Sequence, residues 1–250
     1  MKSLFSVTNL TVGIPAKEIL HGVSTSFQPS RVTVIMGPNG SGKSTFTQGV
    51  MGNPEYVVTG AMEFEGTDIT VMTTEERARL GIFLAFQSPL AIPGVSVMNV
   101  LRAALSEKTK EGEKKVDALS LLKEVKAHAA ALHIPETLLS RGVNDGFSGG
   151  ERKKMEILQA LVLKPKFAMF DEIDTGLDVD ALKLVAEGID TLRKNGTGVL
   201  VITHYNRILK YLTPDEIIIL VDGKIAHTGG PELSREIEEN GYSKYQNLDK

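Results

Sequence analysis

Gly37-Pro38-Asn39-Gly40-Ser41-Gly42-Lys43-Ser44 is the stretch on which the reading of this chain turns. It fits the pattern G-x-x-x-x-G-K-[ST], follows the strand-like apolar run Arg31 to Met36, and opens a helical segment, Thr45 to Met51. Each residue type suits a phosphate site. Glycines let backbone N–H groups converge on phosphate oxygens, and a helix N-terminus adds positive partial charge. Lys43 has the reach for the β- and γ-phosphates, the Ser44 hydroxyl is a ligand for Mg²⁺, and Thr45 adds a contact to the α-phosphate. A strand that enters such a loop and leaves as a helix begins a βα unit, so the same residues indicate an α/β domain with a largely parallel sheet.

Moving outward, other apolar runs also end in chemistry. Phe167 to Phe170 runs into Asp171-Glu172, Val199 to Thr203 into His204, and Ile82 to Phe86 into Gln87. Open α/β sheets bind ligands at the carboxyl ends of their strands, so these residues are expected to share one site with the Gly-rich loop. Asp171 is expected to hold Mg²⁺, and Glu172 to orient or deprotonate a water beside it. Gln87, an amide beside the metal and the water, can serve both and sense the γ-phosphate.

Strands are also predicted for Ser6 to Val12 and Val23 to Gln28. Asp222-Gly223 is predicted to close a tight hairpin between Ile217 to Val221 and Lys224 to Thr228. These read as antiparallel additions at the edge of the sheet. Between Gln87 and Phe147 the β signal disappears. Val97 to Ser106 and Val116 to Ala131 have helical spacing and are joined by the charged stretch Glu107 to Lys115. The chain thus divides into a core of residues 1–86 and 148–250 and an inserted helical subdomain, 87–147.

With 250 residues and 42% hydrophobic content, the chain can bury a substantial core. A net charge of -3 gives no field that would draw the whole molecule to nucleic acid or anionic lipid. No apolar run approaches the ~18 to 20 residues of a membrane helix, and Met1 to Thr8 is too broken for a secretory signal. The expectation is a cytoplasmic protein without direct membrane insertion. The absence of cysteine excludes disulfides and thiolate chemistry in this chain.

Phe147-Ser148-Gly149-Gly150-Glu151 precedes a helix that carries Met155, Leu158, Leu161 and Val162 on one face and stops before Pro165. Ser148 is a good N-cap, and the glycine pair exposes backbone N–H groups at the helix end, a second anion site. Arg152-Lys153-Lys154, with Glu151 and Glu156 nearby, reads as a solvated face or a set of ion-pair partners rather than a nucleic-acid patch.

The segment Ser148 to Glu151 resembles the signature motif of ATP-binding-cassette proteins. The resemblance runs the length of the chain in order: phosphate loop, Gln87, signature, Asp171-Glu172, Asp178 and His204. It implies a P-loop ATPase fold with an edge antiparallel β-subdomain and an inserted α-helical subdomain, ATP and Mg²⁺ as ligands, and His204 as a catalytic residue. It also implies a head-to-tail homodimer. ATP then lies between one chain's loop and the other's Ser148, Gly149 and Gly150, with Asp178 at the D-loop that meets its counterpart.

A closer resemblance is to the SufC family, the ATPases of Suf iron–sulfur cluster assembly. Met36 to Thr45, Tyr56 to Gly60, Gly81 to Gln87, Ile92 to Val95, Phe147 to Lys154, Thr175 to Leu182 and Thr203 to Leu209 carry it. Phe147, Glu151 and Asp174 favour it over the nucleotide-binding subunits of membrane transporters, the alternative. SufB- and SufD-like scaffold proteins are the partners it implies, and a motor without cysteine suits that part. Many relatives stack an aromatic on adenine; this chain has Val12 near the expected position, so base recognition is expected to be weak and partly apolar.

Overall fold

A computed structural model describes residues 3–108, 117–203 and 206–246. In chain order, β1 (Phe5–Ile14) and β2 (Lys17–Phe27) lead into β3 (Val32–Met36) and α1 (Lys43–Met51). Next come β4 (Val57–Phe64), β5 (Thr67–Asp68), α2 (Thr74–Leu80) and β6 (Ile82–Ala85). The insertion holds β7 (Ile92–Ser96), α3 (Val97–Lys108), α4 (Ala118–Ala131), α5 (Glu136–Leu139) and β8 (Gly142–Val143). The chain then continues through α6 (Gly149–Leu163), β9 (Phe167–Asp171), α7 (Val179–Lys194) and β10 (Gly198–Ile202). It ends with β11 (Glu216–Val221), β12 (Lys224–Gly229) and α8 (Glu232–Asn240).

The central sheet has the order β12-β11-β3-β10-β9-β6, with β11, β3, β10, β9 and β6 parallel and β12 antiparallel at one edge. Every residue of β3, β9 and β10 is buried, which is why these strands read as unbroken apolar runs instead of alternating ones. Because they are parallel, their carboxyl ends lie along one edge. That edge carries the Gly-rich loop after β3, Asp171-Glu172 at β9, and Gln87 just beyond β6.

The β11–β12 hairpin turns on Asp222 (φ 44°) and Gly223 (φ 75°), both left-handed as a two-residue primed turn requires. Its Gly223 N–H donates to the Ser41 carbonyl at 3.1 Å, so the hairpin braces the phosphate loop.

The N-terminal strands depart from expectation. They form a separate antiparallel sheet, β2-β1-β4-β5, instead of extending the central one. The strand β4 had no clear signal, since only Met62 and Phe64 among its residues are buried. A cluster of rings joins the sheets: Phe27 and Phe5 lie 5.1 and 5.2 Å from Phe167 of β9, and Phe46 of α1 lies 6.1 Å from Phe27. These side chains are at most 1% exposed and stabilise the fold by about 1.5–3 kcal/mol each, bolting the helix behind the phosphate loop to both sheets.

The insertion also contains a pairing that the sequence reading lacked. Short strands β7 and β8 close its base through Ile92 opposite Val143 and Ser96 opposite Gly142, too few residues to show a period. Val97 and Leu101 of α3 and Leu121 and Val125 of α4 share one apolar cluster with Met155 and Leu158 of α6. Helix α4 starts at Ala118 on the cap Asp117, whose Oδ2 accepts the Ser120 N–H at 2.8 Å. Residues 109–115 of the expected linker, and Val116, lie outside the described residues. No helix among the described residues is long and apolar enough to cross a membrane.

Candidate functional site

The loop after β3 holds Gly40 (φ 80°) and Gly42 (φ 101°) in left-handed backbone, and a Cβ on Gly37 would strike the Leu220 carbonyl. Gly42 is also the N-cap of α1 and supplies no side-chain acceptor, whereas α2, α6 and α7 are each capped by a side chain. The first-turn amides of α1 are therefore left for a ligand. They face a cavity of about 470 Å³ lined by Asn39, Gly40, Gly42, Lys43, Ser44 and Thr45. Lys43 Nζ donates to the carbonyls of Gly37 and Pro38, both at 2.9 Å. Burial pushes its pKa down, against the pull of Glu172 and Asp171. An ammonium stripped of water in this way gains strongly from an incoming anion. Ser41 Oγ is buried without a hydrogen-bond partner among the described residues. Pro38 completes the turn by accepting the Ser41 N–H at 3.2 Å.

Beside the loop, Ser44 Oγ donates to Asp171 Oδ1 at 3.1 Å. Asp171 is 2% exposed, and burial raises its pKa, partly offset by the Ser44 bond. Gln87 Nε2 donates to Glu172 Oε2 at 2.6 Å. Glu172 has φ 49°, which costs a non-glycine residue about 1–2 kcal/mol and turns its side chain away from the strand direction at the sheet edge. Thr203 Oγ1 donates to the buried Asp174 at 2.8 Å, joining the end of β10 to the turn after β9. His204 lies outside the described residues.

Ser148 caps α6: its Oγ accepts the Glu151 N–H at 3.3 Å, and Glu151 Oε2 accepts the Ser148 N–H at 2.7 Å. Ser148, Gly149 and Gly150 do not line the loop cavity of their own chain. Nor does Asp178, which caps α7 by accepting the Ala181 N–H at 2.7 Å. The structure thus gathers Lys43, Ser44, Gln87, Asp171 and Glu172, and leaves the signature and Asp178 elsewhere.

Two expectations are corrected. Val12 is fully buried beneath α1, where a Cβ on Gly49 would meet it at 2.6 Å, so it cannot touch a base. Lys17 and Ile19 of β2 line the cavity instead. The basic triplet is a solvated face only in part: Lys153 is buried and donates to the carbonyls of Phe86 and Gln87, whereas Arg152 and Lys154 are partly exposed, with Arg152 Nε donating to the Phe147 carbonyl and Lys154 Nζ to that of His133. The ion-pair part of the expectation fits Lys153, which lies 3.9 Å from Glu156. The sequence names Glu156 only as a neighbour of the triplet, and the structure finds it between Met155 and Ile157 on a buried stripe, 4% exposed.

The residues present fit Mg²⁺ and a nucleoside triphosphate. Hydroxyl and carboxylate oxygens are already paired at Ser44 and Asp171, and uncapped amides with a desolvated ammonium face them.

Comparison with known proteins agrees. The ABC transporter family model matches residues 20–175. A "Probable ABC transporter ATP-binding protein" of Streptococcus pyogenes serotype M18 is 44% identical over 242 residues, covering 96% of this chain and 94% of its own. A "Probable ATP-dependent transporter" of Synechocystis sp. is 43% identical over 243 residues, covering 96% and 95%. The solved structure of MJ1267, an ATP-binding cassette of an ABC transporter, has a TM-score of 0.76 at 26% identity, with 96% of each chain covered. The dimeric MJ0796 cassette shares the fold at a TM-score of 0.77 and 20% identity, over 91% of this chain and 98% of that one. With the loop, the paired metal donors and the carboxylate Glu172 on one sheet edge, this chain belongs to the ABC ATPases, enzymes that bind Mg²⁺ and ATP and hydrolyse the nucleotide to ADP and phosphate.

Proposed function

We propose that this chain is a SufC-type ATPase that pairs head to tail with a second copy around Mg·ATP and drives a conformational change in a cytoplasmic SufB–SufD scaffold for iron–sulfur cluster assembly. The observation that carries the pairing is the separation within one chain. The end of α6, with Ser148, Gly149 and Gly150, stands apart from its own loop cavity, so within a pair it is a second copy that brings this helix end to the nucleotide. Closure then depends on γ-phosphate contacts made only in the closed pair, and their loss on hydrolysis opens it.

In each site the first-turn amides of α1 and Lys43 hold the β- and γ-phosphates, and Ser44, Asp171 and Gln87 hold the metal. Mg²⁺, when bound, neutralises the negative charge on the phosphates. Glu172, fixed by Gln87, accepts a proton from the attacking water. The water oxygen bonds to the γ-phosphorus as the bond from phosphorus to the β–γ bridging oxygen breaks, leaving ADP and inorganic phosphate. His204 is the further catalytic residue that the family resemblance implies, and Asp178 belongs to the pair interface. The division into residues 1–86 with 148–250 and 87–147 provides the lever.

Support for the Suf role comes from the motifs around Gln87, the signature and residues 175–182. The buried Asp174, which accepts from Thr203, adds to it. The relatives' names favour a second reading, the nucleotide-binding subunit of an ABC membrane transporter. Native copurification separates the two. Two related scaffold chains in a membrane-free complex support the first reading, and recovery only with an integral membrane protein overturns it. Glu172→Gln should bind ATP, lose turnover and accumulate as an ATP-bound pair by light scattering; a monomer at saturating Mg·ATP with scaffold present would remove the pairing.

A further inference from the structure

The peptide groups of Phe86 and Gln87 lie just beyond the end of β6, and helix α6 satisfies them with side chains. Glu156 Oε1 accepts the Phe86 N–H at 2.9 Å, while Lys153 Nζ donates to the Phe86 carbonyl at 3.2 Å and the Gln87 carbonyl at 2.9 Å. Lys153 and Glu156 are one turn apart on the same helix face, and are 6% and 4% exposed. Burying such a pair is a poor way to gain stability, because desolvation offsets the attraction. Here both groups are spent on one segment of backbone.

We propose that Lys153 and Glu156 are positioning residues that tie Gln87 to the signature helix, so that the orientation of α6 sets the Gln87 amide against Glu172. The tie is continuous. Gln87's backbone is gripped by α6, and its side chain reaches Glu172 at 2.6 Å. Ser148, Gly149 and Gly150 begin the same helix, about 7 Å along its axis from Lys153, and a helix locked by its capping box carries a displacement over that distance as a rigid rod. Whatever engages the signature end therefore moves the glutamine. Glu156 Oε2, buried and without a hydrogen bond among the described residues, is the slack in this clamp.

The proposal rests on the reading of Gln87 as a residue of the hydrolytic site, and the test separates the two. Phosphate release by the full chain with Mg·ATP is measured for Glu156→Leu, Lys153→Met and Glu156→Gln, alone and with Gln87→Ala, alongside ADP affinity. Glu156→Leu and Lys153→Met should each lower kcat about tenfold or more with ADP affinity within about twofold of the parent. Glu156→Gln keeps an acceptor for the Phe86 N–H and should restore most of the loss seen with leucine. In the Gln87→Ala background, Glu156→Leu should cost less than about twofold further, because both act through one side chain. Penalties that multiply in the double variant, or an unchanged kcat in Glu156→Leu, overturn the tie. If Gln87→Ala itself turns over normally, the role of Gln87 falls first and the tie with it. Should Glu156→Leu not fold, Lys153→Met tests the same clamp through the two carbonyls.

Discussion

Replacing Glu156 by glutamine should alter how stability depends on pH, by an amount that its surroundings set. Burial raises the Glu156 pKa to about 7 from 4.5, the near charges being Lys153 on its own helix, which pulls it down, and Asp171 of β9, which pushes it up. The Phe86 N–H also favours the ionised form. Between these two values the native state binds more protons than the unfolded chain, so the wild type loses stability as pH rises through that window. Below pH 4.5 no penalty is present, and above pH 7 it is complete. At about 1.36 kcal/mol per pKa unit, the loss between pH 5 and pH 8 comes to about 2–3 kcal/mol. Glutamine does not titrate and keeps the shape and one acceptor. Urea unfolding of both proteins at pH 5, 6, 7 and 8, without nucleotide, should show the variant gaining about that much relative to wild type across the range. Other titrating groups are common to both and cancel. Parallel profiles, with a difference that drifts by less than about 0.5 kcal/mol, would show that Glu156 does not ionise from a buried state.

Lys43→Ala should weaken ATP binding at least about tenfold, since the variant loses the ammonium whose desolvation primes it for phosphate; unchanged affinity by nucleotide titration would displace the site from the loop. Arg77, 2% exposed, donates to the carbonyls of Gly49, Val50, Thr70 and Met72. Arg77→Met should destabilise the fold by about 3 kcal/mol or more in denaturant unfolding, because these acceptors lose a charged donor that methionine cannot replace. Phe46→Ala, which empties the ring cluster behind α1, should cost about 3–5 kcal/mol by the same measurement, and a loss below about 1 kcal/mol would mean that the cluster closes over the gap.

Where the sequence was legible, a strong local constraint stood behind it. The loop from Gly37 to Ser44 could be read because left-handed glycines, a lysine and a hydroxyl have few other uses in that order. The buried parallel strands were legible because both faces demand apolar residues. The hairpin at Asp222-Gly223 was legible because two consecutive left-handed residues admit few side chains. The separate N-terminal sheet was not, since β4 buries too few residues to show alternation and its partner β1 is broken by bulges. The placing of Val12 failed, and the burial of Glu156 went unread, for a related reason. Whether a valine stands under α1 or beside a base, and whether a glutamate on a helix faces water or a neighbouring strand, depends on pairing across the chain, which local pattern does not carry. An acidic residue between Met155 and Ile157 on a buried stripe was the one available signal.

The sheet edge proposed to perform the chemistry also gathers several groups held at a cost. Lys43 is desolvated, Asp171 and Glu156 are buried carboxyls with raised pKa values, and Glu172 holds a left-handed backbone. Two of these are relieved by ligands: an anion relieves Lys43, and a cation relieves Asp171. Such groups stay in place only if the framework behind them is stiff. The rings of Phe5, Phe27, Phe46 and Phe167, all buried between the two sheets and α1, provide that stiffness on one side. On the other side, the clamp of Lys153 and Glu156 on Phe86 and Gln87 is polar and consists of a few bonds. The loop is therefore anchored by packed rings, whereas the glutamine is anchored to α6 by a few polar bonds. That asymmetry is what a device needs if nucleotide is to be held firmly while its hydrolysis answers to the position of another element.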